Sequence, residues 1–86
     1  MNTPDINGAI QNILVEHLYV ECKPEDIGLS DSLRADLGVD SLGFVELKEQ
    51  VEKTFGIVIP DSDFTPDNFA TVETVAKLVT KKLGEN

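Results

Sequence analysis

The chain has 86 residues and a formal net charge of −9, because 16 acidic side chains outnumber seven basic ones. A chain this short forms one small domain, which has room for a core but none for a deep cleft lined by several catalytic groups. The excess of acids argues against nucleic acid and against an acidic membrane surface as partners, since both attract clustered Lys and Arg.

The acidity itself is open to two interpretations. It keeps a small protein soluble, or it steers the chain toward basic surfaces of partner proteins. Cys22 is the single cysteine and His17 the single histidine, so we expect neither an internal disulfide nor a bound metal. The chain begins without the pattern of a signal peptide and contains no membrane-spanning apolar run, which predicts a cytoplasmic protein. We also expect it to be a monomer.

The first predicted helix covers about residues 4–20. Thr3 can cap it and Pro4 suits its first turn. The apolar residues that follow recur at helical spacing, at Ile6, Ile10, Ile13, Leu14 and Leu18. Residues 21–40 form a long loop that itself contains the aliphatic residues Ile27, Leu29, Leu33 and Leu37. Burial of each would contribute about 1.5–3 kcal/mol, so we expect this loop to pack onto the helices, with one helical turn at 31–35.

A second helix is predicted over 41–55, ended by Gly56, and a last helix over 71–83, capped by Thr71. A short helical turn is expected at about 67–70. Residues 57–59 have strand propensity but no partner strand, so they are expected to be extended and buried. The sequence therefore predicts an all-α fold, a small bundle of three main helices plus a short fourth helical turn, forming one domain over 1–86.

The second helix has apolar residues on two sides. At 100° per residue its core face falls within a sector about 80° wide and contains Phe44, Leu47, Val51 and Phe55. Two further aliphatic residues, Leu42 and Val45, lie roughly opposite, among the acids Glu46, Glu49 and Glu52. Isolated surface aliphatics are common and the loop could cover these two. Alternatively, they anchor a partner protein while the acids orient it.

Ser41 lies where the long loop becomes the second helix. Its ordinary role there is an N-cap, which contributes about 1 kcal/mol. No neighbouring residue would activate it as a nucleophile, because the only histidine, His17, is on the first helix. A hydrolase that uses Ser41 or Cys22 would therefore lack a base.

The residues around Ser41 change this interpretation. The string Asp36-Leu37-Gly38-Val39-Asp40-Ser41-Leu42 resembles the phosphopantetheine attachment motif of acyl carrier proteins. The resemblance continues in order along nearly the whole chain, through Val45-Glu46-Leu47, Phe55, Ile59-Pro60-Asp61 and Thr71-Val72.

This resemblance implies a carrier without catalytic activity. A phosphopantetheinyl transferase would attach 4′-phosphopantetheine from coenzyme A to Ser41, and the terminal thiol of the arm would hold acyl groups as thioesters. The further partners implied are acyl-loading enzymes, ketosynthases and other acyl-processing enzymes with basic docking surfaces. The positions matching the family's recognition residues are Asp40, Leu42, Val45, Glu46 and Glu52. Those matching residues that line its core, into which some acyl chains fold, are Phe44, Leu47, Val51, Phe55 and Ile59.

Some features depart from the carriers of primary fatty-acid synthesis. Gly43 and Lys53 occupy positions that are often acidic there, and residues 61–70 look longer than that pattern. Both features resemble stand-alone carriers of specialised polyketide or lipopeptide pathways. A carrier of fatty-acid synthesis and a peptidyl or aryl carrier remain alternatives, although Asp40 before the serine favours acyl chemistry.

Overall fold

The structure, a computed structural model, describes residues 6–84. Three α-helices lie within this range: α1 (Ile6–Glu16), α2 (Ser41–Phe55) and α3 (Val72–Gly84). Two short 3₁₀ turns, Pro24–Asp26 and Asp61–Asp63, interrupt the connections, and no strand occurs among the described residues. The predicted all-α fold is confirmed. The extra helical turn lies at 61–63 rather than at 67–70, where only a hydrogen-bonded turn forms, from the Phe69 N–H to the Thr65 carbonyl.

Helix α1 ends at Glu16, so the predicted end near residue 20 is wrong; the predicted start at residue 4 lies outside the described residues. Tyr19 adopts a left-handed backbone with φ of 59°, and the N–H of Val20 bonds to the carbonyl of Leu14 at 3.1 Å. Leu18 and Val20 still pack against the core, but from irregular backbone. These two residues are therefore apolar because they pack against the core, although they lie outside the helix.

The core combines side chains from all three helices and from the long loop. Among its fully buried members are Ile10, Leu14, Ile27, Leu33, Leu47, Val51, Ile59, Val72, Val75 and Val79. The loop packs onto the helices as predicted, with Leu29 as the exception at 39% exposure. Leu29 instead contacts α3 through its backbone, because its carbonyl accepts a hydrogen bond from the N–H of Glu73 at 3.0 Å.

Hydrogen bonds fix the loop in front of α2. The Gln11 side chain donates to the Ile27 carbonyl at 2.7 Å, and the Leu33 N–H donates to the Ala70 carbonyl at 2.9 Å. Val39 then bonds back to the Leu33 carbonyl at 2.9 Å. These contacts join α1, the loop and the segment before α3, so they determine where the chain enters α2.

Candidate functional site

Ser41 is the first residue of α2, and Asp40, not Ser41, is its N-cap. The Asp40 backbone is extended, and its carboxylate accepts a hydrogen bond from the Gly43 N–H at 2.8 Å. The interpretation of Ser41 as the cap is therefore wrong. Ser41 is exposed, and its hydroxyl has no hydrogen-bond partner within residues 6–84. This leaves the hydroxyl accessible to another protein.

The turn into α2 depends on two glycines. Gly38 has a φ of 73°, a left-handed conformation that other residues adopt at a cost. Gly43 lies so close to Val39 that a Cβ there would come within 3.0 Å of its Cγ1 atom. The absence of a side chain at Gly43 thus lets the loop pack tightly beside the Asp40 cap. This packing gives a structural reason for glycine at this position.

The two aliphatic residues on the charged side of α2 are exposed. Leu42 is 81% exposed and Val45 is 44% exposed, so the loop does not cover them. Glu49 is exposed on the same helix, while Glu46 is half-buried and accepts a hydrogen bond from the Gln50 side chain at 2.7 Å. The sequence analysis predicted that this side of α2 contacts partner proteins, so we call it the docking face; its residues are Leu42, Val45, Glu46 and Glu49.

Glu52 has a different environment from the other acids of α2. Its carboxylate accepts a hydrogen bond from the backbone N–H of Ile59 at 2.8 Å and lies 3.9 Å from the Lys48 ammonium group. The side chain is half-buried. Glu52 therefore ties the segment after α2 to the helix, a structural role that its surface-facing spacing did not indicate.

The residues predicted to form an acyl cavity divide into two groups. Leu47, Val51 and Ile59 are buried within the packed core, and Phe55 is half-buried against it. Phe44 alone lines a surface groove of about 480 Å³ beside Ser41. The other residues along this groove are Ser32, Arg34, Ser41, Val45, Phe64, Thr65, Pro66, Phe69 and Ala70. We refer to it as the Ser41 groove.

Phe64 and Phe69 are the residues of this site that sequence reasoning missed. Their rings meet edge to face, with centroids 5.0 Å apart and planes at 85°. Two phenylalanines five positions apart in the otherwise polar stretch 61–70 could have indicated a buried or binding segment. The sequence pattern does not show that residues 64–70 fold back beside Ser41.

These features fit a phosphopantetheine arm. An accessible hydroxyl at the first turn of a helix places a phosphodiester where the helix dipole and free N–H groups favour negative charge. The adjoining Ser41 groove offers apolar surface, and Arg34 contributes a cation to its lining. No three acidic, cysteine or histidine side chains converge on a possible metal position within residues 6–84. None of the described helices is long and apolar enough to cross a membrane.

Comparison with known proteins decides the family. The sequence model of the family described as phosphopantetheine attachment site matches residues 8–79. An acyl carrier protein of Bdellovibrio bacteriovorus is 38% identical over 77 residues, which cover 90% of this chain and 94% of the relative. The chain belongs to the acyl carrier protein family. As a member it is a non-catalytic carrier with a covalently attached phosphopantetheine.

Two solved structures resemble this acyl carrier protein in fold. A holo acyl carrier protein of Nitrosomonas europaea superposes with a TM-score of 0.84 at 23% identity and covers 93% of this chain and 98% of its own. A chain of the Bradyrhizobium japonicum glycine:[carrier protein] ligase complex with its cognate carrier protein matches with a TM-score of 0.70 at 31% identity. That match covers 90% of this chain and 99% of the other.

Proposed function

We propose that Ser41 bears the phosphopantetheine arm and that the protein presents acyl thioesters on it to partner enzymes. The observation that carries this proposal is the exposed Ser41 hydroxyl, which is free of the capping role and lies at the start of α2 beside an apolar groove. In the attachment step the Ser41 Oγ atom bonds to the phosphorus of the arm and adenosine bisphosphate leaves coenzyme A. The hydroxyl proton passes to a base of the transferase, so this chain needs no base of its own.

The docking face is proposed to receive the partner enzymes. Leu42 and Val45 expose apolar surface within a turn of Ser41, so an enzyme that covers them also reaches the attachment site. Glu46, Glu49 and Asp40 add negative charge around these anchors, which favours partners with basic surfaces. Glu52 contributes less than its sequence position implies, because its carboxylate is bound to Ile59 and Lys48.

The proposed pathway is specialised polyketide or lipopeptide synthesis, with primary fatty-acid synthesis as the alternative. Support comes from Lys53 and from the aromatic-bearing segment 61–70. Gly43 supports it less, since its packing against Val39 explains the glycine without reference to a pathway.

Intact-mass measurement after coexpression with a broad-specificity phosphopantetheinyl transferase tests the attachment. We expect a gain of one phosphopantetheine that is lost in Ser41→Ala and kept in Ser32→Ala, which changes a second serine of the same groove. An unchanged mass, or a gain that persists in Ser41→Ala, would refute the proposal.

An aminoacyl carrier is the second candidate function. The observation that favours it is the 31% identity to a chain of the glycine:[carrier protein] ligase complex, at nearly full coverage. Holo protein incubated with that ligase, glycine and ATP would gain the mass of a glycyl group if this candidate is right. Loading by an acyl-transfer enzyme without glycylation would favour the acyl carrier.

A further inference from the structure

The Ser41 groove is formed where α2 faces the segment 64–70, and Ser41 itself belongs to its lining. A phosphopantetheine arm attached to Ser41 starts in the lining of this groove, so an acyl group at its end contacts the groove when the arm folds back. The apolar surface of the groove comes mainly from Phe44, Phe64 and Phe69, and the buried aliphatic residues Leu47 and Val51 do not line it.

Phe69 marks the boundary between the groove and the core. It lines the groove and is also a buried member of the core cluster that contains Leu47 and Val51. Phe44 and Phe64 are half-buried and pack against the same cluster. A long alkyl chain that passes from the groove into the core would have to displace these rings, because Leu47 and Val51 have no exposed surface.

Phe64 and Phe69 form what we call the aromatic wall, and contacts on both sides hold it in place. The Lys48 ammonium group of α2 lies 5.8 Å from the centre of the Phe64 ring. The Phe64 and Phe69 rings contact each other edge to face. Asp63, the residue before the segment 64–70, forms an ion pair with Lys82 of α3. The Asn68 side chain of the segment donates to the Asp63 carbonyl at 2.9 Å. These contacts place Phe64 and Phe69 between the groove and the core.

The groove is large enough for a compact acyl group. An enclosed apolar cavity of about 150 Å³ accommodates one benzene ring, whereas this open groove measures about 480 Å³. Aromatic rings prefer edge-to-face or offset contacts with other rings, and three phenylalanines offer such surfaces here.

We propose that the Ser41 groove is the resting site of the acyl group and selects short or aromatic acyl groups over long alkyl chains. The Phe64–Phe69 pair determines this selection by closing the aliphatic core. This inference rests on attachment at Ser41 and adds the class of acyl group that the carrier holds.

Nuclear Overhauser effects (NOEs) on the loaded protein test this selection. A broad-specificity transferase would load the apo protein from phenylacetyl-coenzyme A or from dodecanoyl-coenzyme A. The acyl-phosphopantetheine then bonds to the Ser41 Oγ atom, adenosine bisphosphate leaves, and the hydroxyl proton passes to the transferase. We expect NOEs from the phenylacetyl ring to Phe44, Phe64 or Phe69, and none from the dodecanoyl terminal methyl group to the Leu47 and Val51 methyl groups.

A variant pair tests the role of the wall. In Phe64→Ala, NOEs from the dodecanoyl chain to Leu47 and Val51 should appear, whereas Phe55→Ala, which removes a half-buried ring away from the groove, should not produce them. Core NOEs with dodecanoyl in the unmodified sequence, or no NOE from phenylacetyl to the three rings, would overturn the proposal. So would a folded Phe64→Ala protein without core NOEs.

Two further measurements distinguish a failure of attachment or folding from a failure of the proposed selection. If Phe64→Ala does not fold, the comparison of the two acyl groups on the unmodified sequence decides by itself. Intact mass is measured first, because failure to gain the acyl-phosphopantetheine refutes attachment at Ser41. A protein that gains the mass but lacks the groove contacts refutes only the selection of acyl groups.

Discussion

The Glu52 carboxylate accepts a hydrogen bond at 2.8 Å from the backbone N–H of Ile59, seven residues further along the chain. Ile59 is buried, so the N–H has little access to water when its partner is removed. We expect Glu52→Ala to lower the free energy of unfolding by about 1–3 kcal/mol, the usual cost of an unsatisfied buried donor.

Urea denaturation would measure this loss, with Glu49→Ala as the matched control. Glu49 is an exposed acid on the same helix, so its removal should change stability by less than about 0.5 kcal/mol. Equal stabilities of the two variants would contradict the structural role of Glu52.

The cap of α2 yields a second prediction. Asp40→Ala removes the acceptor for the Gly43 N–H and should lower stability by about 1 kcal/mol. Asp40→Asn keeps a capping oxygen without the charge, so its stability should stay within a few tenths of a kcal/mol of the unmodified protein. Ser41→Ala should also change stability little, because the Ser41 hydroxyl has no hydrogen bond within the described residues.

Thermal and urea unfolding of these three variants would show whether Asp40 or Ser41 caps α2. If Ser41→Ala lowered the free energy of unfolding by about 1 kcal/mol and Asp40→Ala did not change it, Ser41 would be the cap and the assignment of Asp40 would be wrong. Asp40→Asn also separates capping from docking, since any slower reaction with a partner enzyme would then reflect the missing charge.

The docking face yields a third prediction. Leu42→Ala should lower kcat/KM for modification by a phosphopantetheinyl transferase by about fivefold, corresponding to about 1 kcal/mol of lost contact. Its melting temperature should remain unchanged, because Leu42 is 81% exposed and contributes little to the core. Val58→Ala is the control: Val58 is 75% exposed but follows the far end of α2, so both quantities should stay constant. Equal rates for the two variants would remove Leu42 from the docking face.

Acid stability gives a fourth prediction. A hydrogen bond from Lys82, aided by the nearby positive charges of Lys82 and Lys81, lowers the pKa of Asp63, while partial burial opposes the shift. Since the folded state lowers this pKa, the ion pair stabilises the fold above the unfolded pKa of about 3.9. That contribution disappears as the pH falls through the still lower pKa of the folded state.

Asp63→Asn should therefore be less stable than the unmodified protein at neutral pH, and the difference should shrink toward zero below about pH 4. Urea denaturation at a series of pH values would measure it, with Asp67→Asn, an exposed acid of the same segment, as control. A stability difference for Asp63→Asn that is independent of pH would show that the ion pair does not cause it.

Local patterns predicted part of this fold well. Helix α2 has the predicted bounds because a capping residue precedes it and Gly56, with a φ of 66°, ends it in a left-handed conformation. Thr71 also caps the last helix as predicted, through a bond from the Thr74 N–H to its hydroxyl at 3.1 Å. Each of these signals lies within a few residues of the feature it predicts.

The predictions that failed depended on distant contacts. Leu18 continued the helical spacing of α1, but it packs on the core from irregular backbone after the helix has ended. Leu29 was expected to be buried, yet its side chain is exposed and its carbonyl accepts a hydrogen bond from the Glu73 N–H of α3. Apolar character favours burial without ensuring it, and it does not indicate whether a buried residue belongs to a helix or to a loop.

The sequence by itself determined the helix that starts at Ser41, the place of Leu42 and Val45 opposite its core face, and the resemblance to acyl carriers. These follow from spacing and from residues adjacent in the chain. Only the tertiary structure decided that Asp40 rather than Ser41 caps the helix, that Glu52 binds Ile59, and that Phe64 and Phe69 form a groove with Ser41. Those features join residues according to backbone geometry and long-range packing, which one-dimensional spacing does not encode.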